Sequence, residues 1–373
     1  MNSPFAQPSP VRQSAGVQPV AITGLATASP PHEFAQDEVI AQAREIFGTR
    51  SALFEQLEPV YRNAQIARRQ ACRPLEWFRR SAGMEEKTAL YLQEATDLAE
   101  QAARAALSDS GRQADEIDLV VFVSSTGIAT PSIEARLAGR LGLRADVMRL
   151  PIFGYGCAGG VLGLSRAGAM LAGGAGQRAL VVVLELCTLA FRHDRLTKSN
   201  IVATALFGDG AAAMVLEAGT GGGGFAQLGP SGEHQWPDTL NVMGWAVDAQ
   251  GFDVIFHRDI PKLVGERFGK ARADFLARHG LSESDITRPC CHPGGAKVIE
   301  ALEDSFSLHA GALDAERAVL HDHGNMSAPT VLFVLNRLRR AGGRMNGGGT
   351  LMMTALGPGF TAAFQMLKLE GGP

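Results

Sequence analysis

Apolar residues in this chain gather into short continuous runs instead of alternating one by one with polar ones. Strand candidates stand at 118–125, 179–185, 210–216, 317–322, 350–355 and 361–367, most of them continuous apolar runs, and such strands belong to sheets covered on both faces. A different pattern lies between them. From Cys157 to about Met170 the chain is apolar and rich in small residues, which predicts a buried helix ending near Gly173-Gly174. Gly-rich stretches at 219–224 and from Gly347 predict turns, the first between two halves and the second before a final hairpin. No G-x-x-x-x-G-K-[ST] occurs and none of these predicted strands leads into a G-x-G-x-x-G, so these glycines are read as turns and not as a phosphate loop.

The pattern repeats. A helix end, Ala103-Arg-Ala-Ala-Leu-Ser-Asp-Ser-Gly, leads through Asp115-Glu-Ile-Asp into the apolar run Leu119–Val123. Ala277-Arg-His-Gly-Leu-Ser-Glu-Ser-Asp-Ile leads in the same way into Pro289-Cys-Cys-His. Ile117 and Ile286 then stand 169 residues apart, and the Gly-Gly pairs beginning at 173 and 342 keep that offset. Under the same alignment Cys157 falls within one position of Asn325, each opening a helix, and His292 ends a strand equivalent to the one ending near Ser124 and Ser125. The prediction is a duplicated α/β architecture in which both halves direct strand ends and helix N-termini toward one centre. Residues 1–18 are read as a disordered leader, 19–224 as the first half and 225–373 as the second.

Composition narrows the function. At 373 residues the chain is long enough for a large core, and its net charge of −3 comes without clusters of Lys and Arg interleaved with aromatics. Nucleic acid is therefore rejected as the main ligand. The Pro-, Ser- and Gln-rich leader has no apolar signal segment, and no run of about 20 apolar residues offers a membrane span. Five irregularly spaced cysteines suit a reducing cytoplasm better than a disulfide framework.

Three segments carry the chemistry: Gly154-Tyr-Gly-Cys-Ala-Gly-Gly, Cys291-His-Pro-Gly-Gly and His323-Gly-Asn-Met-Ser. They supply a cysteine, a histidine and an asparagine. Cys157 at a helix N-terminus sits where unpaired amides favour a thiolate, making it a candidate acyl carrier. Alone it could equally be a small core residue, His292 a structural histidine and Asn325 a helix cap; the repeat relation favours a shared site. Cys290, Cys291 and His292 are adjacent, so on a strand they alternate sides and cannot clasp one ion. His321 and His323, placed on the strand 317–322 and its continuation, would share a face but have no Cys or carboxylate partner at ligand spacing. No metal is expected.

The three segments and the repeat are similar to those of the thiolase superfamily, and their wording resembles the type III polyketide synthases, the chalcone synthase-like family. The resemblance runs from about residue 20 to the C-terminus and includes Leu206-Phe-Gly-Asp-Gly-Ala-Ala-Ala, Arg258-Asp-Ile-Pro and Leu356-Gly-Pro-Gly-Phe. Pro74-Leu-Glu-Trp-Phe and Met243-Gly-Trp also resemble bacterial alkylresorcinol and alkylpyrone synthases. What this implies is a thiolase fold of duplicated αβαβα layers, a cytoplasmic acyltransferase, and a homodimer. No cofactor is implied beyond CoA thioesters as substrates, an acyl-CoA starter and malonyl-CoA. Decarboxylative Claisen condensation needs a nucleophile that holds the acyl chain and donors for an enolate oxygen. By resemblance these are Cys157, then His292 and Asn325, with His292 also pairing with the thiolate in the empty site.

The resemblance further implies that Phe207 stands as a gate between CoA tunnel and cavity, and that Cys187, Trp245, Val254 and Ser327 line the cavity. Trp245 replaces a glycine of the plant enzymes. Thr130, before Pro131, matches the loop that crosses into the partner's cavity, where plant enzymes carry methionine. Gly294 and Gly295 would let CoA approach the backbone, and Arg62, with Arg68 and Arg69, would offer charge to its phosphates; a solvated helix face explains these arginines as well. The iterative synthase is weighed against a ketoacyl synthase III-like enzyme making a single condensation, a non-condensing acyl-binding protein, and a thiol hydrolase. The Pro293-Gly-Gly that follows His292, where a ketoacyl synthase III carries an asparagine, favours the iterative synthase.

Overall fold

The computed structural model describes residues 18–48, 52–219, 223–342 and 348–370. The leader up to residue 17, residues 220–222 of the Gly-rich stretch, Gly343 and Gly347 lie outside the described residues. The strands are β1 (Val20–Ala28), β2 (His32–Ala35), β3 (Arg68–Ala71), β4 (Leu119–Val123), β5 (Met148–Ile152), β6 (Arg178–Leu186), β7 (Asp209–Ala218), β8 (Ala226–Gln235), β9 (Met243–Asp248), β10 (Gly251–Phe256), β11 (Arg288–Cys291), β12 (Gly349–Gly357) and β13 (Thr361–Leu369). Among the described residues nine of them form one mixed sheet, in the order β11-β12-β13-β8-β1-β7-β6-β4-β5. The two halves meet where β1 pairs with β8, Ala21 opposite Gln227.

Strand alternation explains the layers. Leu119, Val121 and Val123 of β4 face a core shared with the helices Gly159–Ala172 and Thr330–Arg340, while Val120 and Phe122 face a second core under the helix Met84–Ser110. In the second half Cys290 and Met353 join the shared core, and Cys291 and Met352 face a third core under the helices Gly269–Arg278 and Ala296–Ser305. Each half thus covers both faces of its strands, which is why the runs are apolar throughout, and the helices 159–172 and 330–340 form the middle of five layers.

The predicted strand at 317–322 is a helix, Asp314–His323. Its buried residues Ala315, Glu316, Val319 and Leu320 follow helical spacing, one face covered and the other exposed. The 169-residue repeat therefore breaks here, because the equivalent segment of the first half is the edge strand β5. His321 and His323 are in consequence not on one strand face: His321 is exposed beside Asp322 at 3.0 Å, and His323 Nδ1 lies 2.7 Å from Gln70 Oε1.

Candidate active site

Cys157 lies in the single turn Gly156–Ala158 that feeds the helix Gly159–Ala172. Gly156 has φ +46°, and a Cβ there would stand 2.8 Å from Pro358, so glycine alone fits this approach. The loop is held from below by Ser125, whose Oγ accepts the N–H groups of Gly154 (3.1 Å) and Gly156 (3.2 Å). Burial pushes the Cys157 thiol up to about 12, opposed by a hydrogen bond from Ser327 and reinforced by the nearby Glu185. This differs from the thiolate expected of a helix N-terminus: desolvation of a fully enclosed sulfur outweighs the helix dipole.

His292 follows β11, its N–H donating to Thr354 O at 2.8 Å. Burial drives its imidazole down to about 3, so the ring is neutral at pH 7, and neither ring nitrogen has a partner. The sulfur's hydrogen bond comes from Ser327 and not from His292, which differs from the expected pairing of His292 with the thiolate in the empty site. A lone charge on either group is costly in this enclosure, whereas a proton passed from one to the other creates two charges that compensate.

Asn325 precedes the helix Thr330–Arg340 by several residues instead of opening it, since Ser327 has φ +58° and Pro329 is the cap. Its backbone is clipped to the Phe207 segment in both directions: Asn325 N donates to Leu206 O (2.8 Å) and Gly208 N donates to Asn325 O (3.0 Å). The side-chain amide is oriented by its surroundings. Oδ1 accepts Ser327 N at 2.8 Å and Nδ2 donates to Gly294 O at 3.1 Å, leaving one N–H of the amide unspent. A continuous path of hydrogen bonds thus joins Cys157, Ser327, Asn325 and Gly294, and Gly294 donates its own N–H to His292 O at 3.0 Å.

Beside this path lies a cavity whose lining includes Cys187, Phe207, Trp245 and Val254. Trp245 and Val254 are direct partners in the β9–β10 hairpin, and Phe207 packs edge-on against Phe256 of the same hairpin. Arg192 pins that hairpin to the opposite wall through Asp248 at 2.9 Å. Asp209 anchors the turn bearing Cys187 by accepting Thr188 N (2.8 Å) and Thr188 Oγ1 (2.6 Å).

The description "Chalcone and stilbene synthases, N-terminal domain" matches residues 74–220, and its C-terminal counterpart matches residues 227–369. The chain belongs to the chalcone and stilbene synthase family. It is 38% identical over 350 residues to a 1,3,6,8-tetrahydroxynaphthalene synthase of Streptomyces peucetius subsp. caesius, covering 93% of this chain and 92% of that one. The solved 1,3,6,8-tetrahydroxynaphthalene synthase of Streptomyces coelicolor A3(2), described as a bacterial type III polyketide synthase, is similar with TM-score 0.88 and 27% identity over 95% of this chain and 100% of that one. CsyB complexed with CoA-SH is similar with TM-score 0.87 and 27% identity, over 94% and 100%. The protein is thus a type III polyketide synthase with the thiolase fold, an acyltransferase.

In this synthase the other predicted residues fall in different places. Ser327 touches Cys157 but is not on the lining of the large cavity. Thr130 is exposed, on the loop that also exposes Ile128, and not on that lining. Gly294 supplies the carbonyl for Asn325, and Gly295 precedes the helix Ala296–Ser305. Arg62 is exposed and ion-paired with Asp37 at 3.4 Å, and Arg68 lies 3.5 Å from Asp322. Arg69 is corrected outright as a phosphate ligand. It is buried, and its four terminal N–H groups go to Thr204 O, Phe207 O, Ala205 O and Gln36 Oε1. It therefore caps the carbonyls of the helix Lys198–Leu206 and fixes the gate segment.

The residue that the reading of the sequence missed is Glu185. It is fully buried on β6, and its Oε2 accepts Ser125 N (2.9 Å) and Thr126 Oγ1 (2.8 Å). Oε1 has no partner, and burial raises the carboxyl to about 7. A single carboxylate inside the apolar run 179–186 was the available signal. No helix among the described residues is long and apolar enough to cross a membrane.

Proposed function

We propose that this synthase loads an acyl-CoA starter on Cys157 and extends it iteratively with malonyl-CoA. Cys157 passes its proton to His292, and its sulfur attacks the starter carbonyl; the C–S bond to CoA breaks and CoA leaves as its thiol with a proton. Malonyl-CoA then loses carbon dioxide, the electron pair of the broken C–C bond forming an enolate whose oxygen receives hydrogen bonds from His292 and the unspent N–H of Asn325. The enolate carbon attacks the Cys157 thioester, a C–C bond forms, and the thiolate leaves. The lengthened thioester reloads on Cys157, and the finished chain cyclises to a resorcinol, phloroglucinol or pyrone. Phe207 acts as the gate, excluding water at the junction with the cavity.

The observation that carries this reading is the unbroken path from Cys157 Sγ through Ser327 and Asn325 to Gly294, beside a histidine whose ring nitrogens are both unspent. The CoA complex of CsyB supports CoA thioesters as the substrates, and the same reading assigns Gly294, Gly295 and Arg62 to CoA. A cytoplasmic homodimer belongs to the same reading. The homodimer is supported by the exposed Ile128, Met148 and Phe153, which lie near the edge strand β5, whose outer side has no strand partner among the described residues, and near the Thr130 loop. The test is mass spectrometry of products and of the Cys157 peptide after incubation with malonyl-CoA and short, aromatic and long-chain starters. Acyl-Cys157 with products several two-carbon units longer supports iterative synthesis; a single extension, or neither adduct nor product, overturns it.

A further inference from the structure

The hairpin β9–β10 forms a two-stranded sheet of its own, apart from the nine-stranded one, so side chains and not a backbone ladder set where it sits. Trp245 and Val254 stand opposite each other on it and line the cavity, while the neighbouring Ala246 is exposed. The hairpin is therefore a wall with the cavity on one side and solvent on the other. Side chains alternate along a strand, so Asp248 and Asp253 project from the face opposite Trp245 and Val254.

Those two carboxylates meet two arginines. Arg192 Nη1 donates to Asp248 Oδ1 at 2.9 Å, and Arg195 Nη2 donates to Asp248 Oδ2 at 3.0 Å. Arg195 Nε lies 3.4 Å from Asp253 Oδ2. The arginines are themselves fixed. Arg192 is buried and grips Asp194 through Nε at 2.8 Å and Nη2 at 2.7 Å. Asn200, on the helix that ends before Phe207, donates Nδ2 to Arg192 O and Arg195 O at 2.8 Å each, and Lys87 Nζ donates to Phe191 O at 2.7 Å. The segment 191–195 is thus tied to the helices Met84–Ser110 and Lys198–Leu206, and Asp248 ties the end of the hairpin to that segment through charge-assisted bonds.

Resting on the synthase reading above, we propose that Arg192 and Arg195 are positioning residues that hold the hairpin shut through Asp248 and Asp253, and that this wall keeps water from acyl-Cys157 between condensations. With the hairpin lifted, water adds to the acyl carbon, the C–S bond breaks, and the chain leaves as a carboxylic acid while the sulfur regains its proton as a thiol. With the hairpin held, the thioester persists until the next malonyl-CoA arrives.

The experiment follows the lifetime of acyl-Cys157 by intact-protein mass spectrometry, after loading from a short, aromatic or long-chain acyl-CoA, whichever loads, and removal of free thioester, with no malonyl-CoA present. Asp248 Oδ1 also accepts Gln250 N at 2.8 Å, an acceptor that Asp248→Asn keeps while it removes the charge. This variant should shorten the lifetime about tenfold, as for loss of a hydrogen bond to a charged group, with the loading rate within about twofold of wild type. Arg195→Met should act in the same direction, and the double variant should add little to Asp248→Asn because the two changes share one ion pair. Asp248→Glu, which keeps the carboxylate, should restore most of the lifetime. A lifetime unchanged in Asp248→Asn and Arg195→Met, one shortened as much by Asp248→Glu, or one that falls only together with loading rate and melting temperature overturns the proposal. If the wild type never forms acyl-Cys157, the synthase reading fails; if it does and the variants match its lifetime, only the role of the wall fails.

Discussion

Ser327 Oγ lies 3.4 Å from Cys157 Sγ and donates to it from a position 170 residues away in sequence. Ser327 is held at φ +58°, a costly conformation for serine, by its N–H bond to Asn325 Oδ1. The two halves therefore meet at the sulfur itself, and the residue that touches it is oriented by the asparagine.

Ser327→Ala should make Cys157 a poorer thiolate, because the lost hydrogen bond is the main influence lowering its thiol. Alkylation by iodoacetamide at fixed pH should slow about fivefold, the equivalent of ~1 kcal/mol for one hydrogen bond. An unchanged alkylation rate would show that this bond does not tune the sulfur.

Cys157→Ala should abolish starter loading, read as loss of the acyl-peptide, while some release of carbon dioxide from malonyl-CoA continues. His292→Ala and Asn325→Ala should instead reduce decarboxylation by about 100- to 1000-fold each, the usual loss for an oxyanion donor. Full condensation by Cys157→Ala would refute the assigned nucleophile.

Gly160→Ala should destabilise the fold by roughly 1–3 kcal/mol through overpacking, since the new Cβ would stand 2.3 Å from Ala328 O. That contact joins the Cys157 helix to the segment carrying Ser327. A denaturant midpoint unchanged from wild type would contradict the close approach of these helices.

Glu185 makes stability fall as pH rises. Its folded carboxyl titrates near 7 and its unfolded one near 4.5, so between these values the folded state binds more protons. Glu185→Gln should therefore gain on the wild type between pH 4.5 and 7.5, by up to roughly 3 kcal/mol. Urea midpoints of both proteins at the two ends of that window check the sign; a constant difference would place the ionisation elsewhere.

The apolar runs predicted most of the central strands and the buried Cys157 helix because both faces of these elements are covered, which leaves the same signature in any such sheet. The repeat was legible for β4 and β11, which stand 169 residues apart, and failed at 317–322. There the chain has the apolar content of either a strand or a helix, and burial of Ala315, Glu316, Val319 and Leu320 on one side settles it as a helix. β1 and β8 were missed, although they join the halves: β8 is mostly polar and partly exposed, and Thr23, Gly24 and Thr27 interrupt the apolar run of β1.

By itself the sequence determined the duplicated architecture, the Cys157, His292 and Asn325 constellation and the family, since residue types at fixed spacing carry that information directly. Tertiary structure decided the rest. It buried Arg69 under helix carbonyls, enclosed Cys157 and His292 so that both are neutral, set Glu185 near the sulfur, and opened an apolar chamber among Phe34, Phe47 and Phe78. Charge state and cavity shape depend on what surrounds a group in three dimensions, and segments far apart in the chain supply those surroundings.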